Sequence, residues 1–277
     1  MAILVTGAGG LVGRAAVAAL TKQGIEHVRA IVRRPGDGGD LRQHGAKVAL
    51  MDAADPDALE AAMTGVFTAV SLTGSLWDGD DPAVTVLEPA RVFVEVARRT
   101  GVRRLVVLSP AGGGDGGNPW LDAKAEAEAL VTTSGLEHAV LRCTHVVGPG
   151  SRLAERLRGP GPVLVPGNGR QQVAPVWVGD VATAIAAADD SAVPLHDVWT
   201  LAGPTRTSFD GFVDALNQAT ADKLHLHGDP VPAGHPGLTA VQAEVLASDS
   251  LPDPAVPPAP GVTPIPLADA VARSRHA

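Results

Sequence analysis

Apolar positions recur along this chain in two periods, and the two take turns. Ala2–Thr6 is an apolar run of strand length, and Leu11–Gln23 carries its apolar residues at helical spacing. Val28–Arg33 and Ala46–Met51 predict second and third strands, followed by a helix over about Asp55–Thr64 and a fourth strand at Gly65–Ser71. A long helical stretch occupies Pro82–Thr100, with a kink expected at Pro89 because proline has no N–H to give the preceding turn. Arg104–Ser109 predicts a fifth strand and Leu136–Arg142 a sixth. Between them Asn118–Ser134 predicts a helix with Trp120, Ala123, Ala127, Leu130 and Val131 along one face. Apolar strands separated by helices imply βαβ units and a parallel sheet buried on both faces. The fold class expected is therefore α/β, a doubly wound parallel sheet of Rossmann type.

The pattern loosens after Pro149. A strand within Arg170–Val176, a helix over Gly179–Ala188, a strand at Val198–Ala202 and a helix over Ser208–Ala219 follow. From Leu224 onward Pro, Gly and His accumulate, with a Pro-rich segment at Leu251–Pro266 and a short helix at Leu267–Ser274. Such composition suits a disordered linker. The apolar stretches Gly237–Ala247 and Val262–Ile265 favour instead an ordered cap over an active site. The division expected is a cofactor-binding core over residues 1–150 and a smaller substrate-binding cap over 151–277, with further core elements at about 171–202 interleaved.

Composition narrows the function. The 277 residues suffice for one large or two small domains, and 30 acidic against 22 basic residues leave a formal charge of −8. With no basic block, neither nucleic acid nor an anionic membrane is expected as a partner. The longest uncharged run, Ala61–Trp77, is too short to span a bilayer, and no basic leader precedes the first strand. A soluble, cytoplasmic protein acting on a small molecule is expected, with monomer or homodimer left open. The single cysteine, Cys143, supplies neither a disulfide nor a Cys-rich zinc site. His225 and His227, as His-Leu-His near the Pro-rich tail, make at most half a metal site, so no metal is expected. There is no tyrosine anywhere, which excludes any mechanism that needs a phenol from the protein.

The chemistry begins at Thr6-Gly7-Ala8-Gly9-Gly10-Leu11-Val12-Gly13, between the first strand and the first helix. Glycines at 7, 10 and 13 permit a tight turn, close approach of a pyrophosphate and close helix–sheet packing, while the helix N-terminus offers free N–H groups to phosphate. The end of the second strand chooses between the nicotinamide cofactors. An NAD site places Asp or Glu there to accept from the ribose 2′-hydroxyl. Here Val32 is followed by Arg33 and Arg34, guanidinium groups suited to a 2′-phosphate, so NADP(H) is the cofactor expected.

Several further segments make the chain resemble the short-chain dehydrogenase/reductase superfamily, on its extended and atypical, NmrA-like side. The glycine spacing is similar to that group's TGxxGxxG; Asp52-Ala53 resembles its adenine-holding pair, and Leu72-Thr73-Gly74 sits where its fourth strand meets the cofactor ribose. Leu141–Gly150 is similar to its LRxxxVYGPG, and Pro175–Ala182 to its later VxDVA segment. The resemblance covers about residues 2–220. It implies that Gly7, Gly9, Gly10, Leu11, Val12, Gly13, Arg33, Arg34, Asp52, Ala53, Leu72, Thr73, Gly74, Lys124, Cys143 and His145 touch the cofactor. It also implies that Ser109 and Lys124 are catalytic and that Trp120, Ser109 and Gly112 line the substrate pocket.

One departure falls on the chemistry. Where the family has the Tyr of its Tyr-x-x-x-Lys, this chain has Trp120, one helical turn before Lys124. An indole N–H donates a hydrogen bond but does not deliver a proton. Ser109 is suited to an oxyanion, Lys124 to the nicotinamide ribose and to local positive potential. The proton is left to His145, to water or to an acidic hydroxyl on the substrate; His145 reads equally as a packed strand-end histidine. The Gly-rich Ala111–Gly117 is either a mobile rim or a long turn. The leading expectation is an NADPH-dependent ketoreductase of a bulky aromatic or polyketide-type substrate in a biosynthetic tailoring step. An NAD(P)H–quinone reductase, a non-catalytic NADP(H)-sensing regulator, and an epimerase or lyase are the alternatives.

Overall fold

The structure is a computed structural model that describes residues 2–79, 81–112, 117–158, 162–190, 195–218, 221–226 and 238–275. The first half alternates β1 (Ala2–Thr6), α1 (Leu11–Lys22), β2 (His27–Val32), α2 (Gly39–Gln43), β3 (Lys47–Leu50), α3 (Pro56–Met63) and β4 (Val66–Ser71). It continues through α4 (Glu88–Thr100), β5 (Arg104–Pro110), α5 (Pro119–Thr132) and β6 (Glu137–Cys143). The remainder comprises β7 (Val146–Val147), α6 (Arg152–Arg156), β8 (Val163–Pro166), β9 (Gln172–Val173), β10 (Val176–Trp177), α7 (Val178–Asp190) and β11 (His196–Leu201). Last come β12 (Thr207–Ser208), α8 (Phe209–Asn217), β13 (Lys223–Leu226), α9 (Ala240–Ala247) and α10 (Leu267–Arg273).

Seven strands form one sheet in the order β11-β6-β5-β4-β1-β2-β3, every neighbour parallel. Its apolar strands are covered on both faces. One face packs Val5, Val106 and Leu141 against Ala16, Val17 and Leu20 of α1 and Ile185 of α7. The other packs Leu4, Ala69 and Leu105 against Leu59 and Met63 of α3 and Phe93, Val96 and Ala97 of α4. This is the doubly wound α/β fold the alternation implied. Strand order reverses between β1 and β4, so the crevice beyond their carboxyl ends is where such a sheet binds ligands.

A third apolar cluster, with Leu153, Val165, Phe209, Phe212, Leu246 and Leu267 among its members, draws together α6, β8, α8, α9 and α10. The Pro-rich run before α10 has no regular element, yet it is tied to the main sheet. Thr200 N–H of β11 donates to Pro257 O, Ala259 N–H to Thr200 O, and Ile265 N–H to the Asp180 carboxylate at 3.0 Å.

The structure differs from the sequence expectation at several joints. The stretch expected as one helix over Pro82–Thr100 is a π-turn segment, Ala83–Leu87, followed by α4. The change falls one residue before Pro89, which cannot supply an N–H to the turn before it, so the wider turn absorbs the missing bond. The strand expected within Arg170–Val176 is broken into β9 and β10 around Ala174-Pro175, since proline has no N–H for a ladder. The short helical turns at Pro35–Gly38 and α2, and the elements α6, β7, β8, β13 and α9, were not foreseen. Each is eight residues or fewer, too short to show a period.

Candidate functional site

The glycine loop turns where β1 ends. Gly7 has φ of 67°, and a Cβ there would lie 2.6 Å from Leu72 O, so loop and β4 approach closely at the strand-order reversal. A Cβ on Gly13 would lie 2.5 Å from Ala8 Cα and collide with Gly7 O, so this glycine lets α1 press against the loop. The helix starts at Gly10 with no side-chain cap, which leaves its first N–H groups and the positive end of its dipole free for an anion. Arg14 braces the loop from behind, its Nε donating to Gly9 O at 3.0 Å and its guanidinium pairing with Asp37 and Asp40.

Arg33 and Arg34 leave the end of β2 with side chains 59% and 69% exposed. Arg33 pairs with Asp78 at 3.4 Å and Arg34 with Asp37 at 3.3 Å. Exposed pairs of this kind are worth about 0–1 kcal/mol, so either guanidinium is easily transferred to a phosphate. Asp52, Ala53, Leu72, Thr73 and Gly74 line the same cleft, together with Gly9, Leu11 and Val12. An uncapped helix start, a glycine cradle and two yielding arginines fit a phosphorylated dinucleotide.

At the other end of the cleft stands α5. Asn118 caps this helix, accepting from Trp120 N–H and Leu121 N–H. Its amide donates to Val241 O at 3.1 Å and to the Glu244 carboxylate at 2.9 Å, so the start of α5 is pinned to α9. Trp120 Nε1 donates to Gly74 O at 3.2 Å, and Lys124 Nζ donates to Thr73 O at 3.1 Å, 5.7 Å from the Trp120 ring. Burial pulls the Lys124 amine down from 10.5 to about 8, opposed by the Asp78 carboxylate. Ser109, buried near the end of β5, borders the same space. The structure thus brings Ser109, Trp120 and Lys124 together with the glycine loop.

Cys143 ends β6 and His145 follows it, both in the cleft wall. Burial lowers His145 to about 4, its Nε2 is shielded with no partner, and its ring packs edge-on to Phe209 at 6.0 Å. A neutral imidazole is a poor acid at pH 7, so the packed-histidine reading fits and the proton-donor reading does not. Burial likewise pushes the Cys143 thiol up. Gly112 lines the cleft; the middle of the Gly-rich loop that follows lies outside the described residues.

The cleft encloses about 970 Å³, enough for a dinucleotide end and a drug-sized molecule. Its walls away from the glycine loop include the apolar Trp77, Trp120, Leu153 and Leu246 and the polar Arg152 and Asp249. Sequence reasoning missed Asp78, which takes Arg33, Arg152 at 3.6 Å and the Ser75 N–H, and whose field reaches Lys124. It also missed Arg152, Leu153 and Leu246, because nothing in their spacing marks a segment that reaches the site only through the C-terminal packing. Of the two histidines weighed for metal, His225 Nε2 lies 3.1 Å from Asp210 and His227 lies outside the described residues. No described helix is long and apolar enough to cross a membrane.

Comparison with known proteins accords with this geometry. A family model described as NAD(P)H-binding matches residues 7–192. A 3-diazoavenalumate denitrifying reductase from Streptomyces sp. is 32% identical over 184 residues, 56% of this chain and 59% of that protein. The chloroplastic protein High Chlorophyll Fluorescence Phenotype 244 of Arabidopsis thaliana is 31% identical over 144 residues, 50% of this chain and 35% of that one. The chain therefore spans less than two thirds of the length of these curated relatives. Among solved structures, the triphenylmethane reductase of Citrobacter sp. complexed with NADP(H) superposes with a TM-score of 0.75 at 20% identity, covering 99% of this chain and 100% of that one. The UDP-glucuronic acid 4-epimerase of Bacillus cereus superposes with a TM-score of 0.72 at 18% identity, covering 99% and 98%. At such identities the likeness is one of fold.

Proposed function

The chain belongs to the NAD(P)H-binding family, with oxidoreductase relatives, and from that premise we propose that it is an NADPH-dependent reductase acting on a carbonyl of a bulky aromatic or polyketide-type substrate. The observation that carries this reading is the joint placement of Ser109 and Lys124 on one apolar cleft with the glycine cradle. Arg33 and Arg34 support NADPH over NADH. When bound, the nicotinamide supplies a hydride. Ser109 is placed to donate to the oxygen on which charge develops, and the Lys124 ammonium adds positive potential in a poorly solvated place. Trp77, Trp120 and Leu246 exclude water and favour a flat apolar substrate. The Streptomyces relative, a reductase by name, supports a place in a tailoring step.

We read residues 1–150 as the cofactor-binding core and 151–277 as the substrate cap with core elements interleaved, because α6 and α9 bring Leu153 and Leu246 to the cleft. A quinone is a second acceptor consistent with the site, since Trp120 has its N–H committed to Gly74 O and a quinone needs no acid from the protein.

NADPH deuterated at the pro-S C4 position, offered with 1-tetralone, polycyclic aryl ketones and menadione, tests the reading. Deuterium on a carbinol carbon is the expected result. Consumption of NADPH without carbon-bound deuterium favours the quinone. Tight binding with no turnover favours a sensor of the cofactor.

A further inference from the structure

The turn that follows β4 is fastened from three helices. From α5, Lys124 Nζ donates to Thr73 O and Trp120 Nε1 to Gly74 O, and from α9 Gln242 Nε2 donates to Leu76 O at 3.0 Å. From α6, Arg152 donates to Trp77 O at 3.3 Å, and the Arg156 guanidinium lies 4.7 Å from the centre of the Trp77 ring. The turn ends on Asp78. One carboxylate oxygen, Oδ2, accepts from Ser75 N–H at 3.1 Å and is spent within the turn. The other, Oδ1, is shared, with Arg33 at 3.4 Å and Arg152 at 3.6 Å. Both distances exceed the roughly 2.7–2.9 Å of a full charge-assisted hydrogen bond. A single oxygen is therefore divided between two guanidinium groups that arrive from different rims of the cleft, the end of β2 and the start of α6.

Resting on the reading above that Arg33 takes a 2′-phosphate, we propose that Asp78 is a positioning residue through which that phosphate draws α6 toward the substrate end of the cleft. A phosphate that takes Arg33 leaves Asp78 Oδ1 to Arg152, which then shortens its ion pair to hydrogen-bond length. Asp78 is held by its turn with a side chain only 16% exposed, whereas Arg33 and Arg152 are 59% and 45% exposed, so it is the arginines that move.

The movement matters because Leu153, the next residue of α6, belongs to the third apolar cluster and also lines the cleft. Drawing α6 inward tightens the wall against which an apolar substrate rests. A cofactor without the 2′-phosphate leaves Arg33 its share of Oδ1, and the wall stays as it is in the empty cleft. NADPH is thus selected twice, by Arg33 and Arg34 directly and by α6 in how firmly the substrate is held.

The test is hydrogen exchange of the intact protein, without ketone, saturated with NADPH or with NADH, following the amides of residues 152–158. In the wild type NADPH should slow these amides by about two- to fivefold more than NADH, the range open to one partly exposed ion pair. Asp78→Asn keeps an oxygen for Ser75 N–H but removes the charge, and the two cofactors should then protect α6 equally. Arg152→Gln should do the same, and it carries the test by itself if D78N does not fold. Equal protection in the wild type, or a difference that survives in D78N or R152Q, overturns the proposal. Titration of the Arg33→Ala, Arg34→Ala pair separates this inference from the reading beneath it. If that pair weakens NADPH and NADH alike, the 2′-phosphate reading fails and the inference falls with it. If NADPH is weakened selectively while α6 exchanges alike with both cofactors, the cofactor reading stands and only the role of Asp78 is lost.

Discussion

At the scale of single residues, the site is a set of side chains whose ordinary properties are altered by burial. Lys124 loses hydration at the edge of a cavity, and its charge is therefore a cost to the folded state. Above pH 10.5 the amine is neutral folded and unfolded, and the cost vanishes. It grows as pH falls from 10.5 to 8 and is fully present below about 8. Lys124→Met should accordingly raise the melting temperature at pH 7 by about 2–4 °C, the effect of about 1 kcal/mol in a chain of this size, while abolishing turnover. The gain should disappear when melting is measured near pH 10.5. At the other end of the cleft, Arg33→Ala with Arg34→Ala should weaken NADPH by about 100-fold or more and NADH by less than threefold, since each charged bond to phosphate is worth about 1.5–3 kcal/mol. Equal weakening in a fluorescence titration would remove the 2′-phosphate assignment.

At the scale of elements, α5 matters because it delivers Trp120 and Lys124 in one turn and is anchored from outside its own sequence. Asn118 does both tasks, capping α5 and holding α9 through Val241 O and Glu244. Asn118→Ala should cost about 1–2 kcal/mol in denaturant unfolding from the lost cap. It should also raise KM more than it lowers kcat, because α9 carries Val245 and Leu246 into the cleft wall. The helix itself was legible at Asn118–Ser134 from its apolar spacing; its tie to α9 was not, because that hydrogen bond spans more than a hundred residues. The broken strand around Pro175 and the π-turn before Pro89 show the same limit. A proline is visible in any sequence, but whether the chain answers with a kink, a wider turn or a strand break depends on what packs against it.

At the scale of the whole molecule, the C-terminal segment returns to the sheet rather than trailing away from it. Asp180 accepts from Ile265 N–H, Thr200 pairs with Pro257 and Ala259, and Leu267 and Val271 are buried in the third cluster. Deletion of residues 251–277 should remove about 1.5–3 kcal/mol for each of those two side chains. Against a total stability of about 5–15 kcal/mol, that loss should leave the truncated chain largely unfolded by circular dichroism at 37 °C. A folded truncation product that still binds NADPH would show that the tail only decorates the core.

What the sequence by itself determined is local and periodic. The alternation of strand and helix, the glycine loop between the first pair, the two arginines ending the second strand and the Trp120–Lys124 register all lie within windows of a few turns, where side-chain periodicity and backbone sterics are sufficient. The tertiary structure decided what depends on distant contact. Only folding brings Asp78 between Arg33 and Arg152, lowers His145 to about 4, and places Lys124 on the lining of the cleft beside Ser109 and Trp120. Those properties arise from desolvation and from charges that come within a few ångströms of one another only when the chain has closed.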